Sequence, residues 1–208
     1  MAPGEQRLRL VLGLWAIGLL WSGLAPYDRA TWLMEVAPVL IVVPILWMTR
    51  KRFTPTSLLL ALVLAHGLIL MAGGKYSYAR VPLGFSMQDW FGWTRNNYDK
   101  IGHFAQGFVP ALAVRELLIR VFSLTSRRLV AFLAVTVCLG ISAAYELIEW
   151  GAALALGQGA DEFLGTQGDP WDTQEDMFMA LVGAAAALLT LTKWHDRQIA
   201  GLEIPRVQ

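Results

Sequence analysis

Long apolar segments separated by short polar connections make up most of this chain. A membrane-spanning helix needs about 20 mostly apolar residues, because each residue adds about 1.5 Å across a hydrocarbon core about 30 Å thick. The pattern therefore predicts an all-α fold, a bundle of about six transmembrane helices that forms one integral-membrane domain over residues 1–208. The predicted spans are residues 8–25, 32–48, 57–72, 98–122, 129–156 and 172–192.

The composition agrees with a membrane protein. Hydrophobic residues make up 56% of the chain and charged residues 16%, whereas soluble globular proteins carry about 25% charged residues. The formal charge of +1 comes without a basic stripe or zinc-finger spacing, so we expect no nucleic-acid partner. The lone Cys138 excludes a disulfide framework. Arg7 and Arg9 precede the first apolar run, which we expect to be an uncleaved signal-anchor helix because further apolar segments follow.

Basic residues predict the orientation of the spans. Cytoplasmic connections of membrane proteins are rich in lysine and arginine. With the N-terminus inside, twelve of the 17 basic residues fall on the inner side, and the outer side holds only Arg29, Lys75, Arg80, Arg95 and Lys100. We therefore expect a multi-pass protein of the bacterial inner membrane with both termini in the cytoplasm. The long outer connection 73–97 is rich in aromatic residues, which favours a position along the membrane interface.

Ionisable residues occur in pairs at helical spacing near the outer ends of the last three spans. Counted from basic residues at the inner ends, the deeper member of each pair is 17 or 18 residues away, roughly 26 Å along a helix. The shallower member is 21 residues away, roughly 31 Å. We therefore predict two polar layers, a deeper one of His103, Glu146 and Asp176 and a shallower one of Asp99, Glu149 and Asp172.

These layers predict a functional site, because carboxylates near hydrocarbon are costly. Converging carboxylates must be protonated, paired or bound to a cation. A divalent metal satisfies them: zinc, manganese or iron where the imidazole takes part, magnesium or calcium where carboxylates act alone. Glu146 and Glu149 are the predicted catalytic residues, with Glu149 as general base toward a metal-bound water. The predicted metal ligands are His103, Glu146, Glu149, Asp176 and Asp172, and the predicted supporting residues are Asp99, Lys100, Gln106, Asp169 and Gln174.

Several of these residues also have structural interpretations. Asp169, Pro170 and Asp172 match an N-cap, a proline at the first helical position and an acid in the first turn. Asp99 is equally suited to capping the fourth span. His195 follows Lys193 at the inner end, where we expect it to be solvated. The glycine-rich connection 157–171 is typical of a lid near a site, or of a plain flexible loop.

These residues are compatible with three functions. The first is a metal-dependent hydrolase or transferase that acts on a lipid or envelope precursor. The second is a small ion- or proton-coupled transporter or scramblase, for which homo-oligomerisation could complete a pathway. The third is an envelope scaffold whose acids pair with Lys75, Arg80, Arg95 and Lys100. A scaffold should bury paired charges, whereas an enzyme should leave an open coordination position.

Three motifs carry a family resemblance. They are residues 98–104 (YDKIGHF), 145–150 (YELIEW) and 165–174 (GTQGDPWDTQ), the last followed by Asp176 and Met177. Over most of its length the chain resembles the YjdF family of bacterial multi-pass inner-membrane proteins. More loosely it is similar to VanZ-like proteins, which also pair an Asp-Lys-x-x-His-Phe helix start with a later glutamate and an aspartate-rich helix start. The looser resemblance implies a role at the cell envelope, and neither resemblance assigns a catalytic residue.

Overall fold

A computed structural model describes residues 3–156 and 166–202, and within these ranges every regular element is helical. The predicted all-α architecture is therefore confirmed. A helix is present at each predicted span, and its ends differ from the predicted ends by no more than eight residues. The helices are α1 (Pro3–Gly23), α2 (Arg29–Thr49), α3 (Ser57–Tyr76), α4 (Pro82–Phe91), α5 (Tyr98–Arg120), α6 (Arg127–Leu156) and α7 (Asp172–Ala200).

Four of these helices are long and apolar enough to cross a membrane: Arg29–Thr49, Ser57–Tyr76, Arg127–Ala155 and Asp172–Ala200. Large apolar side chains on their outer faces are exposed, among them Met48, Ile148 and Leu189. An apolar outer surface of this kind is suited to contact with lipid. Helices α1 and α5 have 21 and 23 residues, enough for a crossing, and they remain predicted spans.

The connection 73–97 contains more regular structure than the sequence indicated. A 3₁₀ turn, Tyr78–Arg80, leads into α4, which has a proline at its start. Helix α4 ends at Gly92, whose φ of 66° lies in the left-handed region and whose N–H donates to the carbonyl of Gln88. Trp90 and Phe91 are exposed on this helix, and a position along the membrane interface remains a prediction for it.

Helices α1, α2 and α3 share one apolar core. Leu8, Val36 and Met71 are fully buried there. Trp15 of α1 lies so close to Gly67 of α3 that a Cβ on the glycine would be 2.2 Å from the indole nitrogen. The indole N–H donates to the carbonyl of Leu64 at 3.3 Å. The sequence placed α1 as an anchor, and the structure shows that it is also packed into the bundle.

A second core joins α3, α5, α6 and α7, and its closest approach is between α5 and α7. A Cβ added to Gly107 of α5 would lie 1.8 Å from the carbonyl oxygen of Ala180. A Cβ on Gly183 of α7 would lie 2.1 Å from the carbonyl oxygen of Phe104. Small residues let membrane helices approach backbone to backbone. This crossing fixes the first turns of α5 and α7 side by side, where the predicted polar layers begin.

Candidate metal centre at the acidic end

Two connections meet above the starts of α5 and α7. The side-chain amide of Gln167 donates to the carbonyl of Asn96 at 2.7 Å, and its Oε1 accepts the Asn96 N–H at 3.3 Å. Asn96 is almost fully buried, donates to the carbonyl of Val81 and accepts the N–H of Tyr98. The residues just before α5 are therefore held against the residues just before α7. We call this end of the bundle, with residues 95–103, 146 and 169–176, the acidic end.

Arg95 lies at the centre of the shallower acids. Its Nη2 is 2.6 Å from Oδ1 of Asp172 and 3.1 Å from Oδ2 of Asp169, and its Nη1 is 3.8 Å from Oδ2 of Asp99. Nη1 also donates to the carbonyl of Thr166. Burial by itself would lower the pKa of Arg95, but the hydrogen bond and charge of Asp172 and the charges of Asp99 and Asp169 leave it above its ordinary value.

Lys100 supplies the second positive charge. Its Nζ is 2.7 Å from Oε2 of Glu175, which is 49% exposed, and 3.7 Å from both Asp172 and Asp176. Arg95 and Lys100 therefore pair with the shallower acids, as the scaffold interpretation expected. Lys75 does not follow that interpretation, because its ammonium donates to the carbonyls of Trp21 and Leu24 at the ends of α1.

The deeper acids surround an imidazole. His103 Nε2 lies 3.6 Å from Oδ2 of Asp176 and 3.9 Å from Oε1 of Glu146. Its Nδ1 lies 2.9 Å from Oε1 of Gln106, one turn further along α5. Because that oxygen accepts hydrogen bonds, Nδ1 is the nitrogen that carries the proton. In the neutral form of the imidazole the lone pair of Nε2 faces the two carboxylates, as when histidine binds a metal, whereas in the protonated form Nε2–H pairs with them.

Two sets of ligand atoms are each compact enough for one ion. In the set His103, Glu146 and Asp176, one ligand atom from each residue lies within 4.8 Å of the others, and the same holds for Asp99, Asp172 and Asp176. Asp176 belongs to both sets. Oε1 of Glu146, Oδ1 of Asp176 and Oδ2 of Asp99 are buried and accept no hydrogen bond within the described ranges.

The other predicted residues lie outside these sets. Gln174 is exposed at the start of α7. Oδ1 of Asp169 accepts the N–H of Trp171, and α7 begins only at Asp172, so Asp169 orders the turn before the helix and is not its N-cap. Glu149 is in neither set. Of the glycine-rich connection 157–171, residues 157–165 with Asp161 and Glu162 lie outside the described residues.

Glu149 instead interacts with Glu35, an acid that is not among the predicted site residues. Glu35 of α2 interacts electrostatically with Glu149, and its carboxyl group is hydrogen-bonded with the side chains of Tyr78 and Tyr145. The Tyr145 hydroxyl also lies 3.0 Å from the carbonyl of Met34. The available signal was the position of Glu35 inside the apolar run 32–48, where an acid is rarely placed without a partner.

The expectation of a solvated His195 was wrong. His195 and Glu116 are both fully buried, and the imidazole Nε2 lies 2.8 Å from Oε2 of Glu116. Thr56 donates to the same carboxylate through its N–H and its hydroxyl, and Arg120 pairs with it as well. Arg115 lies 3.1 Å from the other imidazole nitrogen. Nothing in the spacing of the sequence indicates that α3, α5 and α7 meet at this histidine.

Comparisons with known proteins also indicate a membrane protein. The family model described as "Predicted membrane protein (DUF2238)" matches residues 7–197. The chain is 56% identical over 181 residues to the "Inner membrane protein YjdF" of Escherichia coli (strain K12), covering 87% of each chain. No solved structure matches. The predicted resemblance to the YjdF family is confirmed.

Proposed function

Since this chain belongs to the DUF2238 family of predicted membrane proteins, we propose that it binds one divalent cation at the acidic end and uses it in a reaction on a lipid or envelope precursor. We place it in the inner membrane, as the name of the Escherichia coli relative says of that protein. Both termini are cytoplasmic in this proposal, because twelve of 17 basic residues then face the cytoplasm. The acidic end then faces outward.

One observation carries the cation proposal. Glu146 and Asp176 are more than nine-tenths buried, and each brings one oxygen within 4 Å of His103 Nε2. Oε1 of Glu146, which has no hydrogen-bond partner among the described residues, lies at 3.9 Å, and Oδ2 of Asp176 lies at 3.6 Å. A buried carboxylate oxygen without a partner is costly, and the cost is larger for a charged group. A cation bound between the three side chains would satisfy both oxygens and the imidazole together.

The charges of the buried residues support the same assignment. The buried acids Asp99, Glu146, Asp172 and Asp176 carry four negative charges, and Arg95 and Lys100 beside them carry two positive charges. Asp169 and Glu175 are more exposed and can be solvated. With a neutral imidazole at His103, these buried side chains together have a formal charge of −2. A divalent ion neutralises that charge.

The ligand types indicate which ion to expect. One imidazole nitrogen and two carboxylate oxygens suit zinc or manganese better than magnesium, which prefers oxygen ligands alone. Three protein ligands are typical of catalytic zinc sites, in which the fourth position holds water or substrate. In this proposal Asp172 and Asp99 orient Arg95 and Lys100 and are not ligands. Glu149, one turn along α6 from Glu146, is the proposed general base toward the metal-bound water.

The test is elemental analysis of the purified protein by inductively coupled plasma mass spectrometry after zinc and manganese are each offered. We expect about one ion per chain in the wild type and a loss of more than tenfold in Glu146→Gln and in Asp176→Asn. The matched control is Glu175→Gln, because Glu175 is the neighbour of Asp176, carries the same charge and pairs with Lys100. A metal-free wild type would disprove the cation site, and so would equal metal occupancy in the wild type and the three variants.

The reaction itself is tested separately. The metal-loaded protein is placed in vesicles of bacterial lipid extract, and the lipids are followed by mass spectrometry with Asp176→Asn as the comparison. Metal-dependent conversion of a lipid in the wild type alone is the expected result. If the wild type holds its metal and leaves all lipids unchanged, the site binds a cation but the proposed lipid reaction is wrong.

Proton- or ion-coupled transport is a second candidate, and the electrostatic interaction between Glu35 and Glu149 favours it. Two neighbouring acids with tyrosine hydroxyls beside them can hold a proton or a small cation within an apolar region. In vesicles that enclose a pH-sensitive dye, this function predicts a proton flux that Glu35→Gln abolishes and Glu175→Gln leaves intact. Equal fluxes in the wild type and Glu35→Gln would exclude it.

A further inference from the structure

A cavity of about 610 Å³ lies between α5, α6 and α7 at the end of the bundle opposite the acidic end. Its wall includes the last turn of α5, the connection 121–126, the first turns of α6 and the last part of α7. The cavity does not share a residue with the candidate metal centre, and none of the functions considered above uses it.

The polar part of the cavity is basic. Arg115, Arg120 and Arg127 line it, with Asp196 as the one acid among the lining residues that the structure describes. Arg127 is 85% exposed and reaches Asp196 only at 3.8 Å. Arg120 is buried, and its Nε–H has no acceptor among the described residues. Arg115 pairs with Asp196 and Arg120 pairs with the buried Glu116, so Arg127 gives the wall one positive charge in excess, and the Nε–H of Arg120 adds an unused buried donor. One excess charge and an unused donor suit an anion with several oxygen acceptors.

Hydroxyl groups and apolar side chains complete the wall in separate parts. Ser123 and Thr125 lie in the connection before α6, and Thr192 lies on α7. Leu188 and Leu189, about one turn before Thr192 in α7, line the part of the cavity nearer the membrane interior, and Leu189 is 85% exposed. Because an exposed leucine on a membrane-spanning helix contacts lipid chains, the cavity is open to the hydrocarbon on one side and basic on the other.

We infer that this cavity binds the headgroup phosphate of an anionic membrane phospholipid, with the acyl chains leaving past Leu189. A free phosphate would use the arginines but not the apolar side, whereas a phospholipid uses both. Basic pockets between membrane helices are known to hold anionic headgroups. The bound lipid would connect the ends of three helices that carry the buried Glu116 and His195 network.

The experiment measures phosphatidylglycerol binding to the delipidated, detergent-purified full chain by native mass spectrometry. Phosphatidylcholine and inorganic phosphate serve as competitors. Thr125 is the position to change, because it is exposed in the connection before α6 and lines the cavity. Thr125→Glu adds a negative charge beside the arginines, and Thr125→Lys adds a positive one at the same place. Arg127→Gln removes a lining charge, and Arg52→Gln is its control, since Arg52 is exposed and does not line the cavity.

We expect one tightly held phosphatidylglycerol per chain. One surface charge changes affinity for an anionic lipid about fivefold, so Thr125→Glu and Arg127→Gln should each weaken binding by at least about that factor. Thr125→Lys should strengthen binding, and Arg52→Gln should leave it unchanged. Equal displacement by inorganic phosphate would identify a free-anion site and overturn the lipid assignment. Equal binding by all five proteins, or equal binding of phosphatidylcholine, would overturn the site.

Discussion

Replacing Gly183 with alanine tests the idea that one close helix crossing determines the shape of this protein. The alanine Cβ would lie 2.1 Å from the carbonyl oxygen of Phe104 and 3.0 Å from the nitrogen of Phe108. Ordinary contact begins at 3.4 Å, so the oxygen is about 1.3 Å too close. Both neighbours are backbone atoms of α5, which cannot move aside as a flexible side chain can. The two helices must therefore separate.

The loss of folding free energy in Gly183→Ala follows from the close packing of the interior. Forcing one extra carbon into a well-packed region costs about 1–3 kcal/mol. In a protein of this size 1 kcal/mol lowers the melting temperature by about 2–4 °C. We therefore expect Gly183→Ala to melt roughly 2–12 °C below the wild type in detergent, measured by the loss of the monodisperse peak in size-exclusion chromatography after heating. Gly107→Ala should behave in the same way, because its Cβ would approach Ala180 even more closely.

Gly140→Ala is the matched control. Gly140 lies inside α6 and a Cβ there would meet no atom within 4 Å. Alanine is a better helix former than glycine by about 1 kcal/mol, so this variant should melt at or above the wild-type temperature. If Gly183→Ala melts at the same temperature as Gly140→Ala, α5 and α7 do not cross closely enough at Gly183 to position the acidic end.

Three further predictions concern buried charges and a helix cap. Arg95→Gln leaves Asp172 without its main partner and should destabilise the protein by about 3 kcal/mol, and adding Asp172→Asn should restore part of the loss in the same melting assay. His195→Phe removes a buried donor from Glu116 and should cost about 2 kcal/mol, whereas replacing the exposed Arg9 with glutamine should cost almost nothing. The carboxylate of Asp28 accepts the N–H of Thr31 at the start of α2, and this bond lowers its pKa. Because the ionised carboxylate is the stronger acceptor, Asp28→Ala should cost about 1 kcal/mol at neutral pH, and the difference from the wild type should shrink as the pH falls from about 4 through the lowered pKa; a constant difference down to pH 3 would contradict the cap.

The sequence was sufficient for the six long helices and for the residues of the deeper layer. Apolar runs of the length of a bilayer predict helices directly, and the rise of 1.5 Å per residue predicts which acids share a depth. His103, Glu146 and Asp176 do lie together. Depth says nothing about the direction in which a side chain points around its helix, however. Glu149 shares the predicted depth of Asp99 and Asp172 but is in neither set of ligand atoms, and it interacts electrostatically with Glu35 of α2 as well as with Glu146 and Asp176.

Residues in connections and across helices could not be predicted in the same way. Arg95 lies in an irregular segment, so its central position among four acids depends on the contact between Asn96 and Gln167, which are 71 residues apart. His195 is buried because α3 and α5 bring Thr56 and Glu116 to it. Such contacts depend on the way that helices pack against each other, and the periodicity of a single helix carries no information on it.

The close packing of α5 against α7 at two glycines also affects the distances between the ligands of the candidate metal centre. Gly107 is one turn from His103 on α5, and Gly183 is two turns from Asp176 on α7. A separation of the helices at the glycines would increase the distance between Nε2 of His103 and Oδ2 of Asp176, now 3.6 Å, without changing a ligand. A metal site loses its affinity when its ligands are displaced by a few tenths of an ångström from their bonding distances. The glycines therefore contribute to the site by position alone, and a loss of metal from Gly107→Ala at temperatures where the variant is still folded would separate this contribution from the stability of the bundle.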